Sequence, residues 1–440
     1  MGLVSRFSSC LPAVQSLCAP ATGPRIESAA VVEARGSARE QKKDDAAHAR
    51  THWFAGQGPF ALAVLSHFMC AFGFSVFSLF PKYLMTARGL SQAGTGLATM
   101  GFPLGALLFS PLVAFAMGRF AKADIVRVSA LIYCALTASF VLAPDPAIIP
   151  LLTFLIGGAC MGVFNGGAGL VADVAPDHAM ARALGLHGAA GMLGHALGPL
   201  AMEPMAAHFG WGASFCLAAC SALTASLLPL AQNRPRAGGF SLSLGFLRPL
   251  SALLVVTLFA GLMHNALWTA HQPLVLARGG HEMRGYFLGM SGGALIMRVM
   301  FGGLPDRIGR ARAALYALAL YVVAAAFMTM VTPSTLPWFG LIHGIAHGVF
   351  YPAMAALATG RVALALRGES LIAIYAAFNV GATCGSVGFA RFGQAFGPAA
   401  VFPLAAALGS IGLFTLYAYV RRSEVCSPAR EQQAEARPGG

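Results

Sequence analysis

The sequence predicts an all-α polytopic membrane protein, with twelve transmembrane helices arranged as two pseudo-symmetric halves of six. Three observations predict it: the composition, the spacing of the apolar runs, and an internal repeat. Of 440 residues, 57% are hydrophobic and 10% are charged, where a water-soluble chain carries about a quarter charged residues. Mean hydropathy is +0.69. The apolar runs have the length of roughly 20 residues that a helix needs to cross the hydrocarbon core. They fall at about 59–82, 92–116, 124–143, 148–171, 184–206, 212–231, 250–274, 285–304, 312–331, 337–359, 369–391 and 399–420. The fifth and eleventh are rich in Gly, His and Asn, which a bundle tolerates where neighbouring helices satisfy polar groups. The alternation of a membrane β-barrel is missing.

The repeat divides the chain. LIGGACMGVF at 155–164 aligns with LIHGIAHGVF at 341–350, with six of ten positions identical. Gly118-Arg119 falls opposite Asp306-Arg307, and Gly194 and Gly198 fall opposite Gly381 and Gly385, at nearly the same offset. The expected organisation is therefore an N-terminal bundle at 59–231, a linker at 232–249 and a C-terminal bundle at 250–420. Polar tails at 1–58 and 421–440 are expected to be disordered.

Lys and Arg in the short loops set the orientation. With both termini in the cytoplasm, inner loops hold twelve of them, among them Arg119, Lys122, Arg182, Arg307, Arg310 and Arg367. The outer loops hold five, Lys82, Arg88, Arg278, Arg284 and Arg391. The net charge of +13 is read as this bias and as anchoring in the lipid bilayer, not as a nucleic-acid surface. The expected location is a bacterial cytoplasmic (inner) membrane. Nine cysteines form no CxxC pair, so neither a disulfide framework nor a metal site is expected, and no cofactor. Nucleotide loops, metal-spaced carboxylates and nucleophile elbows are missing, which argues against an enzyme.

GGLPDRIGRAR at 302–312 gathers one acid and three arginines between two apolar runs. Gly302, Asp306, Arg307, Gly309 and Arg310 match the pattern G-x-x-x-D-R-x-G-R, and with twelve helices the chain resembles the major facilitator superfamily over about 59–420. The resemblance implies the fold of that family, alternating access by rocking of two halves, and a cytoplasmic gate at this loop. In such a gate the Asp sits against the positive N-terminus of the eleventh helix, the glycines keep the turn tight, and the arginines anchor it. The first-half copy, AFAMGRFAKA at 114–123, has Gly118 where the Asp should be.

The fifth run, GLHGAAGMLGHALGPL at 185–200, resembles an antiporter signature of the family through Gly185, Gly194, Gly198 and Pro199, although Met202 and Glu203 replace its closing glycine pair. The motifs lie closest to the drug/metabolite:proton antiporter branch. Gly158 stands where many exporters of that branch carry a buried Arg, a departure that weighs against the usual relay.

Ionisable and amide groups in hydrocarbon are costly, so their positions mark function. They are His67, Asn165, His187, His195, Glu203, His264, Asn265, Gln272, Arg298, His343, His347 and Asn379, all outside runs 3, 6, 9 and 12, which the family places on the outside of the bundle. Glu203 is the candidate proton carrier, Arg298 the candidate partner for an anionic cargo, and Phe164 and Tyr351 the candidate aromatic contacts. His343 and His347, at i and i+4, share one helix face. The expected function is secondary transport of a small molecule, first as proton-coupled efflux of a drug-like compound, metabolite or metal chelator. The alternative is a proton-coupled importer of a small organic anion. A monomer is expected.

Overall fold

Twelve long helices cross the described part of the chain, each built on one of the apolar runs. The structure is a computed structural model and describes residues 58–176, 179–231, 244–363 and 366–435, with the side chains of 422–435 left aside. The expected tail at 1–58, Gly58 apart, and most of the linker at 232–249 lie outside these residues. The helices are α1 (Gly58–Thr86), α2 (Gln92–Met117), α3 (Lys122–Leu142), α4 (Ile149–Val174), α5 (Met180–Phe209), α6 (Trp211–Leu227), α7 (Gly245–Ala277), α8 (Arg284–Met300), α9 (Arg310–Met330), α10 (Leu336–Thr359), α11 (Arg367–Phe396) and α12 (Val401–Glu435). Among the described residues, nine helices are long and apolar enough to span a bilayer by length and composition alone. The fifth, sixth and eighth complete the set. α12 continues to Glu435, through most of the segment expected as an unstructured tail.

The helix pairs of the first half recur in the second. α1 packs on α5 and α6, α2 on α4, and α3 on α4 and α6. In the same way α7 packs on α11 and α12, α8 on α10, and α9 on α10 and α12. Glycines at the repeat positions explain the close pairs. A Cβ at Gly105 or Gly157 would strike the α4 or α2 backbone facing it, at Phe154 or Phe102, and one at Gly293 or Gly344 would strike the α10 or α8 backbone at Leu341 or Met290. Small residues let helices approach until backbones touch, the packing that stands in for the hydrophobic effect in lipid. Gly210 (φ 81°) and Gly397 (φ 91°) join α5 to α6 and α11 to α12, a left-handed backbone at the same place in both halves.

The halves meet along α5–α8 and along α2–α11. Large apolar side chains such as Leu112, Phe115, Val128 and Phe414 remain exposed on the perimeter, as a lipid-facing surface requires. α1 and α7 each lose regular α geometry part-way, in a 3-10 turn at Ser75–Leu79 and a π turn at Ala266–Ala270. Such irregular turns inside helices recur at functional sites.

Candidate functional site

Between the two α1/α7 irregularities and the far end of the molecule, opposite the chain termini, the halves are tied by polar contacts. Glu203 of α5 accepts from the Lys82 ammonium at 2.7 Å and from the backbone N–H groups of Met283 (2.8 Å) and Arg284 (2.7 Å) at the start of α8. Its carboxylate is buried at 4% exposure. Charge-assisted bonds of this kind, placed at a helix N-terminus, are the strong ones. Lys82 also donates to the His281 carbonyl, and its backbone N–H donates to Gln272. Gln272 in turn donates to the Ser78 carbonyl at 2.7 Å. On the α2–α11 side, the Ala93 N–H donates to Gln394. Thr95 lies beneath this seal, beside a small cavity lined by α1, α2, α7 and α11.

The loop at the termini end behaves differently. Asp306 pairs with Arg310 at 3.0 Å, within its own loop, and both side chains are exposed. Among the described residues, no hydrogen bond or ion pair joins Asp306 to the start of α11. Gly309 has φ 92° and begins α9, and a Cβ at Gly302 would lie 2.7 Å from the Arg298 carbonyl. The two motif glycines are therefore required by the turn itself. Gly303, the neighbour of Gly302, meets nothing.

Of the antiporter-like positions, Gly194 and Gly198 face the α1 backbone, where a Cβ would strike Phe72 and Ser75, while Gly185 faces open space. Pro199 lies inside α5. Gly194 and Gly198 seat α5 against α1 within one half.

The histidines converge on the core from both halves. His67 of α1 stacks on His187 of α5 at 3.9 Å between ring centroids, with Phe164 of α4 edge-on at 4.7 Å. His195 of α5 reaches Trp268 of α7 across the interface, at 6.1 Å. In the second half, His264 and His343 share a 3.1 Å hydrogen bond, and the other His343 nitrogen meets the Tyr286 hydroxyl at 2.7 Å. Tyr321 meets His347 at 2.7 Å, and Tyr351 stacks on the same ring. The packing of His271 on Tyr286, at 4.0 Å, completes the cluster. The three asparagines are hydrogen-bonded within the protein. Asn265 donates to Ser386 of α11, Asn379 to a carbonyl one turn back, and Asn165 to Ser110 of α2 at 3.5 Å.

Arg298 lies in the last turn of α8. No hydrogen bond or ion pair to another described residue is made by its guanidinium, and its Nε is buried without a partner. Across the interface it faces Gly188 of α5, where a Cβ would lie 3.6 Å from Nη1. Arg298 is half-buried with its Nε fully covered, and a partly desolvated cation with no counter-charge among the described residues is costly. Among the described residues, no cluster of His, Cys, Asp or Glu suits a metal ion.

Sequence reasoning did not find Lys82, Tyr286 or Tyr321. Tyr321 sits on α9, one of the helices set aside as lipid-facing, and its hydroxyl reaches inward to His347. A lone tyrosine in an apolar run carries no signal for this.

A family model described as Major Facilitator Superfamily matches residues 63–339. Over 132 residues the chain is 34% identical to a probable nitrate/nitrite transporter, NarK2, of Mycobacterium tuberculosis. That match covers 30% of this chain and 33% of the relative, so it spans about a third of the relative's length. Among solved structures, a point mutant of the nucleoside transporter NupG superposes with a TM-score of 0.69 at 12% identity, covering 82% of this chain and 99% of that one. A bacterial homologue of the human lysosomal transporter Spinster, in an inward-facing and occupied conformation, gives 0.68 at 14% identity, covering 82% and 96%.

Proposed function

The chain belongs to the major facilitator superfamily, and from that premise we propose that it carries a small anion across the membrane, coupled to protons, with Arg298 as the counter-charge. Members of this family are membrane transporters of small molecules, not enzymes. The observation that carries the reading is the unpaired Arg298 guanidinium at the α5–α8 junction. A guanidinium presents a fork of donors that matches a small oxyanion or carboxylate in two places at once. The partial likeness to a nitrate/nitrite transporter supports the same chemistry.

In this reading the loop at 302–312 and both termini face the cytoplasm. The Glu203–Lys82–α8 contact then holds the outer side shut, while Asp306 waits free of α11. This arrangement supports an inward-open state, and it favours Glu203 as a latch over Glu203 as the proton carrier. Alternating access follows when the outer latch opens and Asp306 docks, as the halves rock about the α5–α8 and α2–α11 seams.

A second reading, export in exchange for protons, is favoured by the Gly194, Gly198 and Pro199 pattern. The test of the anion is a thermal-stability measurement on the purified protein with nitrate, nitrite, small carboxylates and chloride. Under the proposal one of these raises the melting temperature of the wild type and not of Arg298→Gln, since a ligand stabilises only a fold that binds it. Equal shifts in both proteins would remove Arg298 from the site.

A further inference from the structure

The second-half histidines form a connected chain, not a scatter of packed rings. His264 is half-buried, two residues before the π turn of α7. His343 is fully buried behind it on α10. The nitrogen-to-nitrogen distance of 3.1 Å requires one ring to donate and the other to accept. Tyr286 closes the chain at 2.7 Å on the far nitrogen of His343. We propose that the His264–His343–Tyr286 chain is the binding site of the coupling proton, an inference that rests on the proton coupling proposed above.

The chemistry balances with no other partner. In one polarity His264 Nδ1–H donates to His343 Nε2, and His343 Nδ1–H donates to the Tyr286 oxygen. His264 Nε2 then carries a bare lone pair on the accessible side of the chain. A hydronium ion arriving there gives up one proton: its O–H bond breaks, an N–H bond forms on His264 and water leaves, giving an imidazolium whose charge the 3.1 Å bond shares with His343. A buried imidazolium needs such a partner, because desolvation penalises an isolated charge.

The groups around the chain decide what the proton does. His271 of α7 and Tyr321 of α9 lie against Tyr286 and His343. His347 lies 4.9 Å from His264 between ring centroids, and Arg298 lies on α8, the helix that also carries Tyr286. Phe378 of α11 covers the remaining side. No carboxylate is among these neighbours, so the site holds positive charge alone. An anion on Arg298 cancels that charge and makes room for the proton, and the proton makes room for the anion. Such coupling is reciprocal, and its product is symport of one anion with one proton. α7 carries the result outward, since its far end holds Gln272 in the seal.

The test needs no substrate. A cysteine placed at Thr95, beneath the outer seal, in a cysteine-free background, reports opening of that side by its rate of reaction with a maleimide. The full chain in proteoliposomes without added anion is titrated between about pH 5 and 8, the range in which histidines change charge. The expected result is a labelling rate, normalised to a denatured control at each pH, that changes about fivefold or more in the parent. It flattens in His264→Gln and in Tyr286→Phe, which keeps the ring and loses only the hydroxyl. A parent with no pH dependence would defeat proton coupling as a whole. A parent with pH dependence that both variants retain would defeat this site and leave the coupling standing.

Discussion

The Glu203 carboxylate lies 2.7 Å from the Lys82 ammonium while also accepting from two backbone N–H groups at the start of α8. One side chain thus holds α1, α5 and α8 together, and it joins the two halves at the end opposite the termini. Hydrogen bonds to a charged group contribute about 1.5–3 kcal/mol each. Glu203→Gln keeps an acceptor and loses the charge. The expected outcome is a rise of about tenfold in the open population of the outer side, read as faster labelling of Thr95→Cys. An unchanged rate would mean that the latch contributes nothing to the equilibrium.

Asp306 gives the opposite prediction. Its pair with Arg310 is exposed, and exposed pairs contribute roughly 0–1 kcal/mol. Asp306→Asn is expected to leave the melting temperature nearly unchanged and to slow transport, because in the proposed cycle that loop docks on α11 when its side of the protein shuts. Loss of stability with normal transport would reverse the assignment.

Gly344 tests the repeat. Its missing Cβ lets α10 rest on the Met290 carbonyl of α8, and a backbone cannot step aside as a side chain can. Gly344→Val is expected to cost about 3 kcal/mol or more, seen as a lower melting temperature or loss of folded protein. Gly292→Ala, on the same pair at a position with open space, is the control and should stay within about 0.5 kcal/mol.

The helices and the two halves were legible because each depends on a local pattern: run length, loop charge, and glycines repeated at one offset. The same holds for Gly302 and Gly309, whose turn is written in adjacent residues. The site was legible only in part. Buried ionisable groups announce themselves by cost, which marked Glu203, Arg298 and the histidines. Their partners did not, because Lys82 meets Glu203, and Tyr286 meets His343, only after distant helices have packed. The role proposed for Glu203 changed for that reason. A carboxylate in an apolar run reads as a proton carrier until a lysine and a helix N-terminus are found around it.

Arginine and lysine should differ at position 298. Lysine supplies the charge without the fork. Arg298→Lys is expected to weaken anion binding about tenfold and Arg298→Gln to abolish it, measured as the anion concentration that half-saturates thermal stabilisation. Equal loss in both would mean that the geometry of the fork, not the charge, does the binding.

The most direct test of the anion proposal is uptake into proteoliposomes holding the full chain, with an imposed proton gradient and labelled nitrate, nitrite or a small carboxylate. The account predicts that at least one anion accumulates with the gradient, that accumulation stops when the gradient is collapsed, and that Arg298→Gln abolishes it at normal protein level. Accumulation that Arg298→Gln leaves intact, or transport confined to neutral or cationic compounds, would contradict it.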